Sequence, residues 1–531
     1  MSFLPETRQS GPLPWLVAVL CVVYLLAGVV GHDPWKTEDA VGLAIAQGFH
    51  NGGDWLVPAI AGEPWPEAEP LYYWVADLSA GLTKWLLPFH DGARLASALF
   101  GALFLAMLGA AARRLYGSDA GWGASLLAVG TLGLLVPMHE AEPAAAVLAA
   151  SACVYWGVSL QRLKPLQGAL LMGIGLGAGF LAGGLVGALP TLTLLAMPLF
   201  ERRWAVFAIA ASLGAVIGGA WPLLLAQHHH AYLEAWWAAE SSALTPNEGF
   251  SIAHAKLLGW FAWPVLFVAP WAFWRSRKPL ASPELGLPLI GVIAGAAWFL
   301  THEARPAAAL PLVPPLILLA ATGSARLRRG ASNAWDWFGM MTLTITMGLV
   351  WLGGIAVLTG WPAKIADNAV RLEPGFVAHL SVPALLVALA ASAGWLFALL
   401  RLPRSPWRVV TRWAAGVAIV WVLLSELWMP WIDYGKTYRP VVAGLRQALP
   451  ADPGCVSRLN LGAPQRAALD YFAGIRTRWG AKGCNWLVVQ GGPQPTAPDG
   501  WALAWEGHRP GDANEWLRLY RRTGSESERG R

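Results

Sequence analysis

The sequence predicts an α-helical polytopic membrane protein with a small C-terminal α/β domain outside the membrane. Three observations carry that expectation. The 531 residues are 56% hydrophobic and only 13% charged, with 32 Trp, against roughly 45–50% apolar and about 25% charged in a soluble globular chain. Apolar runs recur from residue 13 to residue 428, each close to the ~20 residues a helix needs to cross a bilayer core. After Trp428 the composition turns to mixed polar and apolar, with Pro and Gly turns.

On the length criterion there are about 13 candidate spans. They run approximately over 13–31, 92–112, 118–137, 143–160, 165–182, 186–200, 204–225, 257–274, 284–301, 307–323, 337–360, 381–400 and 409–428. The first follows Arg8. No small-x-small cleavage site precedes His32 and further runs follow, so it reads as an uncleaved helix rather than a signal peptide. Leu71–Leu87 is apolar too, but it carries Asp77 and Lys84 and reads as a helix at the interface. Charge supports that choice. With the N-terminus inside, the inside loops hold Arg113/Arg114, Arg162/Lys164, Arg202/Arg203, Arg275/Arg277/Lys278, Arg326/Arg328/Arg329 and Arg401/Arg404/Arg408. Every one is basic, as the positive-inside rule requires, and a span at Leu71–Leu87 would invert the alternation. The net charge of +6 therefore sets orientation and does not point to nucleic acid.

Residues 1–428 form the membrane part, with a first outer loop at 32–91, and 429–523 form the outer domain. Short strands are expected at Cys455–Leu461, Trp486–Gln490, Ala502–Glu506 and Glu515–Arg521, and helices at Pro440–Leu449 and Pro464–Gly474. The polar tail 524–531 is expected to be disordered. Of four cysteines, Cys21 and Cys153 lie in apolar runs. Cys455 and Cys484 can pair if their domain faces an oxidising compartment. No zinc spacing is present.

The stretch from His32 to Trp74 concentrates acid: Asp33, Glu38, Asp39, Asp54, Glu63, Glu67 and Glu69. Carboxylates gathered at a membrane surface point to chemistry or ion binding there. Val41, Ala44, Ile45 and Phe49 follow helical spacing, so a short amphipathic helix is expected to lie on the membrane, with Thr37 as its cap. Asn51–Asp54 is a turn that Asp54 closes. A second outer loop, Met138–Pro143, brings His139, Glu140 and Glu142. A third, 227–256, carries His228, His229 and His230, which read as a solvated run. A fourth, Thr301–Pro306, carries His302, Glu303 and Arg305. For Glu38 and Asp39 the structural alternative is simply a helix start, where acids suit the dipole.

Glu38-Asp39, then Gly53-Asp54-Trp55-Leu56-Val57-Pro58, then Glu67-Ala68-Glu69-Pro70-Leu71-Tyr72-Tyr73-Trp74 resemble the bacterial membrane glycosyltransferases that use polyprenyl-phosphate sugars. These are the aminoarabinose-to-lipid-A transferases and protein O-mannosyltransferases, of GT-C fold. Glu142-Pro143 and Ala309–Leu316 fit the same pattern, and the resemblance spans most of residues 13–320. The chain departs from it in three places. The acid pair is reversed, Ala68 and Glu69 stand where the family has Lys and Pro, and Gly183 stands where it has Lys.

The resemblance implies single-displacement, inverting transfer of a sugar from an undecaprenyl-phosphate donor to a hydroxyl or phosphate of a glycolipid or protein acceptor, on the periplasmic face of a bacterial inner membrane. Lipopolysaccharide modification is one such role. Such chemistry needs a base at the acceptor and stabilisation of the departing phosphate. Glu38, Asp39 and Glu142 are the catalytic candidates. Lys36 and Arg305 are candidates for the donor phosphate, with a His of the 228–230 run as a further cation. Glu67, Glu69, Tyr72, Tyr73, His139 and Glu140 are candidates for the substrate pocket. The sequence singles out no cofactor; a divalent metal on Glu38, Asp39, Glu142 and His139 is left open. Two other readings were weighed. A lipid-linked sugar transporter would show mid-span charges, broken helices and a repeat, whereas Arg94, Glu284, Arg412 and Glu426 lie near span ends. A degraded relative that binds a glycolipid is the reading the missing lysines keep in play.

Overall fold

The apolar runs become helices, and their lengths decide which can cross a membrane. The structure is a computed structural model that describes residues 13–403, 405–480, 483–494 and 498–523. Arg8, Arg404 and the tail 524–531 therefore lie outside the described residues. Among the described residues eight helices are long and apolar enough to cross a membrane, or nine if the bent pair Ile252–Phe261 and Val265–Arg275 is one span. Pro14–Leu26 and Ala144–Leu160 are shorter apolar helices. All thirteen expected ranges are helical in whole or part. Range 118–137 is a helix only over Ser118–Val129, followed by a 3-10 turn at Leu132–Leu134.

Three ranges differ in shape. The expected span 257–274 is broken, its two helices meeting at 88°. Pro264 stands at the break and supplies no backbone N–H to continue the helix. Ranges 165–182 and 186–200 are joined, and the helix Pro165–Leu192 kinks at Gly183 and Gly184. Gly184 has φ +59°, a conformation glycine adopts without penalty. A Cβ on Gly187 would lie 3.1 Å from the Gly179 carbonyl oxygen, although eight residues of straight helix span ~12 Å. The chain doubles back there, as two antiparallel arms.

The segment expected at the interface forms the helix Leu71–Thr83, ~20 Å long at 1.5 Å per residue. It buries Tyr72, Tyr73, Ala76, Asp77 and Ala80 and leaves Leu78, Leu82, Trp85 and Leu86 exposed. Asp77 accepts from His50 at 2.8 Å.

In the first outer loop β1 (Ala59–Ile60) pairs with β2 (Glu63–Pro64). The C-terminal part adds β3 (Val456–Leu459), β4 (Thr477–Trp479), β5 (Trp486–Gly491), β6 (Trp501–His508) and β7 (Trp516–Arg522) in one sheet of order β4-β3-β5-β7-β6. β3 runs parallel to β4 and β5, and β7 runs antiparallel to β5 and β6. Helices Arg439–Ala448 and Ala463–Ala473 cover it, burying Val441, Val442, Leu445 and Leu469 with Val488 and Leu519. The four expected strands form; β4, three residues long, had too little pattern to be expected. Cys455 and Cys484 form a disulfide, each just ahead of one of the adjacent parallel strands β3 and β5. The bridge spans 29 residues, which corresponds to about 3–4 kcal/mol of denatured-state restraint. Cys455→Ser with Cys484→Ser is expected to lower the denaturation midpoint of the C-terminal sheet by that order, read by Trp fluorescence with and without reductant.

Candidate functional site

The site is assembled on one fully buried ion pair. Helix Glu38–His50 buries Asp39, Ala40, Leu43, Ala44, Ile45, Ala46 and Phe49. It was expected on the membrane surface. Instead it is wedged between the interfacial helix and the C-terminal helix Ala463–Ala473, because its small residues are buried almost all round. Gly42 is essential to this packing: a Cβ there would fall on the Ala141 carbonyl, so only glycine admits the second outer loop. Thr37 precedes the helix but makes no side-chain cap.

The organiser is Asp39. Its Oδ1 accepts from Arg94 Nε at 2.9 Å and from the Ala141 N–H at 2.9 Å. Its Oδ2 accepts from Arg94 Nη2 at 2.8 Å and the Trp35 N–H at 3.1 Å. Arg94 donates onward to the carbonyls of His32 and Asp33, both at 2.9 Å. Both side chains are 0% exposed. Burial pushes the Asp39 carboxyl up, but the Arg94 guanidinium outweighs it and holds the group at about 2.

Glu38, its neighbour, faces the other way. It is exposed, and no hydrogen bond or ion pair engages it among the described residues. Across from it, Glu142 is pushed up to about 8 by burial, then by the charges of Glu140, Glu38 and Asp39. Glu140 is pushed up to about 7 by burial and by Asp39, against the opposing charges of Lys436 and Arg94. The Glu140 carbonyl accepts from Ser97 Oγ at 2.6 Å, and that hydroxyl lies 2.7 Å from Tyr72 Oη. Tyr73 is buried within the fields of Glu69, Glu38 and Glu142.

A second pair of acids, Glu69 and Glu240, lies beside the first. Glu69 accepts from Trp236 Nε1 at 3.1 Å and is pushed up to about 8, first by burial and then by Glu240. Glu240 Oε1 accepts from the Val186 N–H at 3.0 Å, at the start of the second arm beyond Gly184, where a helix N-terminus favours negative charge. Tyr232 Oη donates to the Trp65 carbonyl at 2.9 Å, and Trp221 Nε1 to that of Leu56 at 2.9 Å. Asp54 closes its turn as expected, accepting from the Leu56 N–H at 2.8 Å, and also pairs with His229 at 2.7 Å.

No protein-family model matches the chain. Among curated proteins, it is 27% identical over 449 residues, 78% of this chain and 76% of the other, to the undecaprenyl phosphate-alpha-4-amino-4-deoxy-L-arabinose arabinosyl transferase of Edwardsiella ictaluri. It is 26% identical over 436 residues to that of Pseudomonas aeruginosa strain UCBPP-PA14, covering 78% and 74% of the two chains. Among solved structures it superposes on ArnT from Cupriavidus metallidurans bound to undecaprenyl phosphate with a TM-score of 0.70 and 19% identity, over 95% of this chain and 97% of that one. The apo form of that protein gives a TM-score of 0.67. The chain resembles the polyprenyl-phosphate-sugar membrane glycosyltransferases. Its fold is the GT-C type that the sequence motifs implied, with the small C-terminal sheet domain attached.

Against that fold, the residues singled out in the sequence separate into groups. Glu38, Asp39, Glu140, Glu142, Glu69, Tyr72 and Tyr73 come together, joined by the hydrogen bonds and fields described above. Glu67 is exposed on the loop. Lys36 is already engaged, donating to Glu515 at 2.6 Å. Arg305 pairs with Glu303 at 2.5 Å, exposed on the fourth outer loop, and no contact among the described residues links it to the acids. His139 is buried, with its ring nitrogens 2.5 and 2.6 Å from the carbonyls of Leu135 and Tyr24, so it fastens the loop to the first helix. Among the described residues no three His, Cys, Asp or Glu side chains are grouped to hold a metal ion. Of the four ligands the sequence offered, Asp39 is saturated by Arg94 and His139 by backbone.

Several partners were missed because they lie far along the chain. Asp33 accepts from Thr437 Oγ1 at 2.7 Å and Arg439 Nε at 2.9 Å. Asp433 accepts from the Asp33 N–H at 2.9 Å and Trp35 Nε1 at 2.7 Å. Glu63 accepts from Arg458 at 2.6 Å and Arg466 at 2.7 Å. Lys436 lies 4.5 Å over the Trp35 ring. Arg94 alone carried a signal: it is a cation near a span end, apart from the basic clusters of the other loops. Breaking its pair is expected to cost about 3–5 kcal/mol by leaving an unpaired buried charge. Asp39→Asn and Arg94→Met should each do so, and the double variant should lose much less than their sum, in a double-mutant cycle read by thermal unfolding in detergent.

Proposed function

We propose that this protein transfers a sugar from a polyprenyl-phosphate donor to an acceptor hydroxyl or phosphate at the outer membrane-water boundary, with inversion. The observation that carries the reading is the accessible, unpartnered Glu38 carboxylate, set on the rigid Asp39–Arg94 scaffold beside the buried acids Glu140 and Glu142. The sugar we favour is 4-amino-4-deoxy-L-arabinose carried on undecaprenyl phosphate, which the names of the most similar curated proteins specify, with a membrane glycolipid as acceptor. We place the N-terminus on the cytoplasmic side of a bacterial inner membrane and residues 429–523 outside, on the strength of the basic loops.

In this reading Glu38 is the general base. It takes the proton of the acceptor hydroxyl as that oxygen bonds to the anomeric carbon. The bond from that carbon to the phosphate oxygen breaks, and its electrons leave with the polyprenyl phosphate. Asp39 is a positioning residue, since every acceptor site on it is occupied. Glu142, protonated at neutral pH, donates a hydrogen bond to a substrate oxygen rather than accepting the proton. Lys436 replaces Lys36 and Arg305 as the cation for the departing phosphate. It is exposed, its charge reaches Glu140, and no carboxylate pairs with it among the described residues.

The test is sugar transfer from a panel of undecaprenyl-phosphate sugars in proteoliposomes. Glu38→Gln is expected to lower kcat by about 10²–10⁴ with an unchanged unfolding temperature. Undiminished transfer by Glu38→Gln would remove Glu38 as the base, and no transfer from any donor would overturn the activity. Glu142 must hold its proton, so the wild-type rate should be present below pH 8 and fall as pH rises through about 8. Glu142→Gln, which cannot ionise, should lose that alkaline limb while keeping most of the rate.

A further inference from the structure

The end of the bundle opposite the acids holds a cavity of about 720 Å³. Its wall is formed by the ends of Ser118–Val129, Val265–Arg275, Pro283–Thr301 and Val313–Gly323 with the loops between them. Four cations, Arg275, Arg277, Lys278 and Arg326, line it against two carboxylates, Asp119 and Glu284. Glu284 is engaged by Lys278 at 3.1 Å. Arg275, Arg277 and Arg326 are exposed and have no carboxylate partner among the described residues. Three guanidinium groups thus converge on one open volume with their charge unanswered.

Membrane orientation explains why these arginines are on this face. It does not explain a cavity, since charge in inside loops needs only a surface. The cavity is bounded by close packing: a Cβ on Gly323 would overlap Ala272, so Val265–Arg275 lies directly on Val313–Gly323. Tyr116 Oη donates to the Glu284 carbonyl at 2.8 Å, holding the opposite wall. Trp271 and Trp407 add apolar surface beside the cations. Its volume falls in the ~300–1,000 Å³ range of small-molecule sites. Guanidinium forks match phosphate oxygens in geometry and charge, and basic pockets between spans on the cytoplasmic side suit anionic headgroups.

We propose that this cavity binds the phosphate group of an anionic ester at the inner membrane surface, through Arg275, Arg277 and Arg326. The site is remote from the acid cluster and does not depend on the activity proposed for it. The ester can come from a phospholipid headgroup or from solution, and the test separates these sources. Full-length protein is placed in phosphatidylcholine nanodiscs with phosphatidylglycerol, or in pure phosphatidylcholine discs with glycerol 3-phosphate, and bound ligand is counted by native mass spectrometry. The triple variant Arg275→Gln/Arg277→Gln/Arg326→Gln is expected to bind at least about tenfold more weakly, the equivalent of one lost charge-assisted contact. The triple Lys variant should keep part of the binding. A control with equal charge change elsewhere on the face, Lys164→Gln/Arg202→Gln/Arg328→Gln, should bind as wild type. Arginine-dependent retention of phosphatidylglycerol assigns a lipid, and arginine-dependent binding of glycerol 3-phosphate alone assigns a soluble ester. No binding of either, or equal weakening in the control, would overturn the proposal.

Discussion

The buried pair of Asp39 and Arg94 is the constraint on which the outer face depends. Removing two charges from water costs several kcal/mol per ion, and only near-complete hydrogen bonding offsets it. Here the offset is supplied by four segments at once: the chain at 32–35, the helix Glu38–His50, the span that carries Arg94 and the loop at Ala141. None can shift without leaving a charge unpaired. The pair therefore sets the register of the first two outer loops against the bundle, and Glu38 inherits its position from its neighbour.

Around that scaffold the two ends of the molecule carry opposite electrostatics. One end gathers Glu38, Glu69, Glu140, Glu142 and Glu240. Burial and mutual repulsion keep protons on Glu69 and Glu142 well above the usual carboxylate range. Two adjacent carboxylates, Glu38 and Asp39, are thus assigned different chemistry by surroundings rather than by residue type. The opposite end leaves three arginines unanswered around an open cavity. At the turn beyond Gly183 this chain seats the carboxylate of Glu240 on the backbone N–H of Val186.

The C-terminal domain is a working part of the outer face rather than an appendage. Asp33, Trp35, Lys36 and Glu63 of the first loop all end on it, through Arg439, Asp433, Glu515, Arg458 and Arg466. Those contacts clamp the stretch that leads into Glu38 from the C-terminal domain, while Arg94 clamps it from the helical bundle. Lys36, which composition alone made a candidate for phosphate, is drawn into that clamp. Lys436, which nothing in its local sequence distinguished, is left free above Trp35.

What the chain alone determined follows from local rules. Apolar length located the helices, among them Leu71–Thr83 within the segment expected at the interface. Strand patterns located β3, β5, β6 and β7, and loop motifs brought out Glu38, Asp39 and Glu142. The break at Pro264 and the short strand β4 were not read correctly, because a proline's effect depends on its packing and three residues hold no period. What only the tertiary structure decided is which of those acids is free. Asp39 and Glu38 are adjacent and chemically alike. One is saturated by an arginine 55 residues away and the other is not. Asp33 meets Arg439 across 406 residues, a separation at which no sequence pattern operates. Charge pairing in a low-dielectric interior is a property of distance in space, and the fold alone sets that distance.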